Sequence, residues 1–491
     1  MIGGVHVKYR ILTALLSFSV LFSLVACGTS LPQSTSDAWA APSSPRPVLC
    51  AAEGELIEET AEAERYLAPA QSVEDYIYEG LMACKSEIDL SEYKIPKEQI
   101  SALYTDVMNH HPDLFFVEAG ISYTHTSAGY IVSLKPRYLL GGEELAAARE
   151  QCDRALDAIC AGVDPMWSDF EIALYLHDYL CLYFSYDTDY EIYDMYQFLT
   201  KGEGVCQAYT LTYMELLSRY GIASDVAVSE GMNHIWNVIT LGGNPYHVDV
   251  TWDDPVPDTE GYAGHGNFLR SDAGIAGTGH FDWDSDLACT SDAYETTFAV
   301  GVEQPFAYTA GAWLYADGKA RAVLVADFST MSTQSLFSVQ DKWLASSGNV
   351  YYVDAFFGVG TYRGNAIYNT PSKILAYNLQ SGATVEISAT VPDGMQIFGL
   401  WVKGDEVFYR VSDAPDGEML TLSVSVADLA DYLWGDADQN GVVDGRDVTA
   451  IRRYLEGLPT VCHTGAADLD DSGSVDARDV EILRQYLLEN N

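Results

Sequence analysis

Gly202-Glu203-Gly204-Val205-Cys206-Gln207-Ala208-Tyr209 is the stretch on which the reading of this chain turns. Ala208, Leu211, Tyr213, Met214 and Leu217 follow at helical spacing, so Cys206 opens a helix. A thiol there meets the positive end of the helix dipole and unpaired backbone N–H groups, which favour the nucleophilic thiolate. The two glycines before it are expected to let the backbone come close to a substrate. Twenty-eight positions on (234 minus 206), Asn233-His234-Ile235-Trp236-Asn237-Val238-Ile239 alternates as a strand with His234 at its start. Fifteen further (249 minus 234), Tyr246-His247-Val248-Asp249-Val250-Thr251-Trp252-Asp253-Asp254 reads as a second strand. An imidazole at His234 has the chemistry of a base for Cys206. A carboxylate at Asp249 would accept the other ring N–H, fix the tautomer and stabilise the imidazolium. His247, two residues from Asp249 on the same strand face, is read as structural or as a support of the site from behind it. Singly, each of these residues is more often packing; the ordered set of three points to catalysis.

Gly204-Val205-Cys206 on a helix, His234-Ile235-Trp236-Asn237, and Val248-Asp249-Val250-Thr251-Trp252-Asp253 together resemble the bacterial transglutaminase-like superfamily. The resemblance covers residues 164–290 and implies a papain-like α+β core. Cys206 is then the nucleophile, His234 the base and Asp249 the orienting acid, with no cofactor for catalysis. Gln207 departs from the acidic residue common after the cysteine, which touches local polarity and not the triad. Asn109-His110-His111-Pro112-Asp113-Leu114-Phe115-Phe116 is similar to the region that precedes the core in these proteins. The implied chemistry is attack of the thiolate on a peptide or protein amide carbonyl. The acyl-enzyme would be stabilised by backbone N–H groups near the helix start, including that of Cys206. If water accepts the acyl group the protein is a peptidase or amidase; if a lysine amine does, it is a cross-linking transglutaminase.

The 491 residues exceed one ordinary core and imply a multidomain chain. Apolar residues at 48%, with 33 tyrosines, supply ample material for burial. Lys plus Arg number 26 against 71 Asp plus Glu, a formal charge of -45, so most of the surface repels a phosphate backbone and nucleic acid is excluded as a partner. Lys8 and Arg10, an apolar run from Ile11 to Ala26, and Leu24-Val25-Ala26-Cys27 form an export signal whose end is similar to the lipobox of bacterial lipoproteins. Cys27 is the expected lipidation site and a membrane tether, with a signal peptide at 1–27 and a Ser/Pro/Ala-rich tether at 28–52. The expected location is extracellular or at the cell surface. The nine cysteines show no CxxC pair and no disulfide framework, so most are packing residues.

Organisation follows from texture. Residues 53–163 form an α+β region, helical from Glu53 to about Ile100, with a hairpin between Leu114 and Leu140 and a helix from Glu143 to Cys160. Residues 164–290 hold the catalytic constellation. Residues 297–428 form an all-β module, propeller-like or a sandwich, with strands such as Val350-Tyr351-Tyr352-Val353 between Gly, Asp, Ser and Asn turns.

The last part, 433–491, contains a duplicated loop, Asp436 to Asp447 and, 32 residues later (468 minus 436), Asp468 to Asp479. Oxygen side chains fall at loop positions 1, 3, 5, 9 and 12 with glycine at 6, the spacing that wraps a hard cation. The candidate ligands are Asp436, Asp438, Asn440, Val442, Asp444 and Asp447 in the first loop, and Asp468, Asp470, Ser472, Ser474, Asp476 and Asp479 in the second. Two calcium ions are the natural guests. Each loop runs into a helix, no clear helix enters either, and position 12 is Asp where an EF-hand has Glu. The pair therefore resembles a type I dockerin. The resemblance implies a cohesin domain of a scaffold protein as partner, contacted through Gly445, Arg446, Ala477 and Arg478 and the adjoining helix. The alternative function is a catalytically silent peptide- or glycan-binding protein of a cellulosome-like assembly. A glycosidase is not supported, because no paired carboxylates of that kind can be identified.

Overall fold

The structure, a computed structural model, describes residues 52–56, 71–344, 350–351, 357–379, 382–415, 417–427, 429, 435–438, 443–469 and 474–489. The export signal with Cys27, and Asn440, Val442, Asp470 and Ser472 of the acidic loops, lie outside them. The architecture is multidomain and mixed α+β. Among the described residues no helix is long and apolar enough to cross a membrane.

The chain opens with β1 (Ala52–Leu56), α1 (Val73–Met82), β2 (Ile88–Asp89), α2 (Ile100–His110), β3 (Val117–His125) and β4 (Ile131–Tyr138). Ser72 caps α1 by accepting the Asp75 N–H at 3.0 Å, and Ile77 and Leu81 bury its inner face. β3 and β4 are the expected hairpin, in a sheet of order β1-β3-β4-β2. The helical reading from Glu53 is corrected at its start, because residues 52–56 run as a strand parallel to β3. The open edge of β3 offers unpaired backbone groups, which an added strand satisfies.

The middle of the chain holds α3 (Gly142–Cys160), α4 (Asp169–Tyr183), β5 (Ser185–Tyr186), α5 (Met195–Lys201), β6 (Glu203–Gly204) and α6 (Cys206–Ser218). Then come β7 (Ser224–Ser229), β8 (His234–Leu241), β9 (Asn244–Val248), α7 (Val250–Asp253) and α8 (Asp272–Gly277). β7, β8 and β9 form an antiparallel sheet against which α6 lies. α4 starts on a capping box of Ser168 and Glu171 and packs on α6, where the Tyr213 hydroxyl donates to the Ala173 carbonyl at 2.9 Å. Both helices are buried on nearly every side, so they carry apolar residues all round.

The glycines before Cys206 have structural causes of their own. Gly202 ends α5 in the left-handed conformation at φ 81°. A Cβ on Gly204 would lie 2.6 Å from the Phe198 ring and 2.7 Å from the Ala208 methyl.

The β-rich stretch contains β10 (Ala307–Thr309), β11 (Ala312–Asp317), β12 (Ala322–Asp327), β13 (Ser332–Ser338), β14 (Trp343–Leu344) and β15 (Val350–Tyr351). It continues with β16 (Val359–Tyr362), β17 (Asn365–Asn369), β18 (Ile374–Asn378), β19 (Thr384–Ile387), β20 (Gln396–Lys403), β21 (Glu406–Ser412) and β22 (Leu420–Ser425). These form meanders of sequence neighbours, β10 to β13, β16 to β19 and β20 to β22, with β14 paired to β15. The first meander shares its core with the preceding helices. Trp313 of β11 lies 4.7 Å from Trp167, Phe328 lies 4.8 Å from Phe170, and the Trp313 indole N–H donates to Glu171 at 2.9 Å. At the C-terminus come α9 (Gly445–Leu455), α10 (Thr464–Ala467) and α11 (Ala477–Glu489), around a small core that includes Ile451, Val480 and Leu483. α10 corrects the expectation that no helix enters either acidic loop: a single turn precedes the second.

Candidate active site and acidic loops

Cys206 is the first residue of α6 and is nearly buried, packed with Met214, Val226 and Ile235. His234 begins β8 as expected. Asp249 is not within a strand: β9 stops at Val248, and Asp249 caps α7, its Oδ1 accepting the Trp252 N–H at 3.2 Å. The alternation read through Val250-Thr251-Trp252 gives way there, because an aspartate that can cap a turn satisfies backbone donors that a lone strand end would leave open.

His234 Nε2 lies 2.6 Å from Asp249 Oδ2, and Cys206 is close enough to help raise the His234 imidazole. With Nε2 committed to Asp249, Nδ1 is the nitrogen available to sulfur. Burial opposes a charge on His234, but Asp249 foremost, and then Cys206, outweigh it and raise the imidazole above its ordinary range. Asp249 moves the opposite way: burial pushes it up, and His234 and His280 pull it well below the usual carboxylate range. Trp236 and Trp252 stack beside the His234 ring at 5.4 and 5.7 Å between centroids. Trp236 shares a face with His234 because it lies two residues along β8.

The separation of Cys206 from His234 is set by cross-links between α6 and β8. Thr210 donates its hydroxyl to the Ile235 carbonyl at 3.1 Å, and Asn237 Nδ2 donates to the Thr210 carbonyl at 3.0 Å and to Ser224 at 3.1 Å. The Asn109-to-Phe116 segment braces the same region: Gln207 Nε2 donates to Asn109 at 3.0 Å and His110 Nε2 meets Asp225 at 3.0 Å. A cavity lined by Met108, Asn109, Phe115, Tyr193, Gln207 and Leu211 opens beside the helix start.

Several buried ionisable groups escaped the sequence reading. His280 Nε2 lies 2.8 Å from Asp249 Oδ2, with its Nδ1 3.1 Å from the Thr278 hydroxyl. His177 bridges Asp178 at 2.9 Å and Asp253 at 3.2 Å, and His265 joins Asp178 at 2.9 Å to the Val302 carbonyl at 2.9 Å. Burial works against charge on His177, but the two carboxylates raise it to about 9. The Tyr209 hydroxyl donates to Asp254 at 2.5 Å. No periodicity marks His265 or His280, which lie in irregular stretches. His247 Nδ1 accepts the Trp236 indole N–H at 3.0 Å, and its Nε2 meets Asp272 at 3.0 Å. All seven cysteines among the described residues are free thiols.

In the first acidic loop, Asp436, Asp438 and Asp447 bring carboxylate oxygens within 4.8 Å of one another. Three hard oxygen donors fit a calcium ion. Asp447 is buried and also accepts the Asp438 and Asp444 N–H groups at 3.0 and 2.7 Å, and Asp479 repeats this with Leu469 and Asp476 at 2.6 and 2.7 Å. Asp468, Ser474 and Asp476 lie at the second loop. Asp444 is gripped by Arg446, whose Nε and Nη2 donate at 2.9 and 2.7 Å, so that arginine serves its own loop. Gly445, Arg446, Ala477 and Arg478 are all exposed at the starts of α9 and α11.

No curated protein matches this chain. A solved structure described as a crystal structure of a TGase matches with 13% identity over 29% of this chain and 46% of that one, at a TM-score of 0.21. The chain thus spans about half the length of that structure, and a likeness of this extent carries no argument about fold or activity. Residues 434–488 match the dockerin type I domain, and the C-terminal part of the chain is such a domain.

Proposed function

We propose that the chain is an exported cysteine acyl-transfer enzyme with Cys206 as nucleophile, His234 as base and Asp249 as orienting acid, docked to a scaffold by its dockerin. The observation that carries the reading is the His234 ring bonded at 2.6 Å to the wholly buried Asp249 carboxylate, with Cys206 close enough to help raise the imidazole. The Cys206 thiol gives its proton to His234 and the sulfur attacks the carbonyl carbon of a peptide or protein amide, whose π pair moves onto oxygen. The C–N bond then breaks as the proton on His234 passes to the departing amine, which leaves a thioester on Cys206. Water, or an amine in a transamidation, gives its proton to His234 and attacks the thioester, which restores the thiol. Throughout, Asp249 accepts the Nε2–H and stabilises the charged imidazole.

The segment 164–290 is taken as a papain-like, transglutaminase-like core, and the meanders of 297–428 as blades of a propeller-like module or layers of a sandwich. Dockerins pair with cohesin domains, so the partner is a cohesin of a scaffold protein, met through Gly445, Arg446, Ala477 and Arg478. Calcium held by Asp436, Asp438 and Asp447, with the corresponding residues of the second loop, supplies structural charge neutralisation and no chemistry. An exported, surface-held protein follows, with Cys27 as a second tether.

Iodoacetamide labelling of Cys206, followed by peptide mapping from pH 4 to 9, tests the catalytic reading. The wild type is expected to react rapidly below the pH where a free thiol ionises, near 8.5. His234→Ala should slow that reaction about 100-fold or more. Slow labelling that is equal in both proteins would overturn the reading and favour a silent binding module.

A further inference from the structure

We propose that His280 is a positioning residue of this site: it holds the Asp249 carboxylate in the orientation that His234 uses. The inference rests on the reading of Cys206, His234 and Asp249 as a triad. Asp249 is fully buried and cannot draw donors from bulk water. Its Oδ1 takes the Trp252 N–H at 3.2 Å, and two imidazoles converge on Oδ2, His234 at 2.6 Å and His280 at 2.8 Å. A carboxylate turns about a single bond, and a short hydrogen bond to one mobile base does not by itself fix that turn. The second imidazole approaches from the segment after α8, independent of β8, and restrains the same oxygen from another side.

His280 is itself held. Its Nδ1 faces the Thr278 hydroxyl at 3.1 Å, and the Ile275 carbonyl lies 2.7 Å from the same hydroxyl, so a neutral ring that gives Nε2–H to Asp249 keeps a hydroxyl partner at Nδ1. The Trp252 ring lies 4.1 Å away and the Trp236 ring 4.8 Å, which leaves the imidazole no room to swing. Among the described residues, the ionisable groups that bear on the pair include Cys206 from α6, Cys181 from α4 and His247 from β9. His247 is bound to Trp236 and Asp272, and Cys181 directs its thiol to the Val250 carbonyl at 3.8 Å. The donors that Asp249 receives on Oδ2 therefore come from His234 and His280.

The test is the pH profile of Cys206 alkylation in the full chain for the wild type, His280→Ala, His280→Phe and His280→Gln. Phenylalanine keeps the ring packing against Trp252 and Trp236 but offers no donor, and it carries the test if the alanine variant does not fold. Glutamine places an amide N–H close to the position of Nε2. The positioning role predicts about a tenfold or greater fall in rate at neutral pH for alanine and phenylalanine. It also predicts that the acid limb of their profiles moves up toward the free-thiol value, because a displaced Asp249 supports the imidazolium less. Glutamine should restore both. A donorless variant that loses thermal stability but keeps the wild-type acid limb would overturn the proposal, since a merely structural role changes the folded fraction and not the profile. A wild type as slow as His234→Ala would instead overturn the underlying Cys206–His234 pair, and this inference with it.

Discussion

Asp254 is a residue whose titration should lower stability above neutral pH, alongside the raised imidazoles of His177 and His234. Burial foremost, with the charge of Asp258 adding, lifts its carboxyl to about 8 against the opposing Tyr209 bond. Its Oδ1 has no hydrogen-bond partner, which penalises the charged form further. The folded value is raised, so the stability this group contributes is complete below its unfolded pKa, near 3.9, and is lost as pH rises through about 8. Asp254→Asn mimics the protonated acid. It should reduce the fall in melting temperature between pH 5 and 9 that the wild type shows, and an unchanged slope would refute the assignment. At this scale the sequence was most informative where residue type and order carry chemistry. Cys206, His234 and Asp249 stand in neighbour contexts that point to one another, and His234 and Asp249 meet. His280, His265 and Asp178 were illegible because nothing local distinguishes a histidine that meets a distant carboxylate from one that does not.

At the scale of elements, the cross-links between α6 and β8 make Cys206 and His234 one unit. Asn237→Ala leaves the Thr210 carbonyl without that donor in a buried position and should cost about 1–3 kcal/mol in denaturant unfolding. The surviving folded protein should also alkylate Cys206 more slowly, as the ring and the sulfur lose register. Gly204→Ala should cost about 1–3 kcal/mol, because the new methyl overlaps Phe198 and Ala208. A glycine kept for substrate access would instead show normal stability with altered reactivity. α6 and β8 were legible because their periods are long and unbroken. The turn at Asp249 was missed because four residues of helix, Val250 to Asp253, cannot be told from the end of an apolar strand by alternation alone. β1 was missed because five residues among acidic neighbours acquire a strand identity only from the edge of β3.

At the scale of the whole molecule, the dockerin and the proposed catalytic site should respond to different agents. Calcium at about 100 times its dissociation constant stabilises whatever binds it by about 2.7 kcal/mol. Chelation in the full chain should therefore lower a melting transition that belongs to the C-terminal segment and leave Cys206 alkylation at its original rate. A parallel loss of alkylation would show that the tail supports the site. The small core around Ile451 and Leu483 is consistent with such dependence, since few apolar side chains are available to hold it without the ion.

Trp313 bears on how the chain can be divided. Its indole fills the space beside Trp167 and its N–H reaches Glu171, the same glutamate that closes the capping box of α4. The first meander therefore acts as a keystone for the helix that backs α6, although it lies outside the segment that carries the proposed chemistry. A shortened chain ending near residue 297 would keep Cys206, His234, Asp249 and His280 and still bare the aromatic face of Phe170 and Trp167 to water. Such a fragment should aggregate or bind a hydrophobic dye. The smallest unit expected to fold cleanly extends at least through β13.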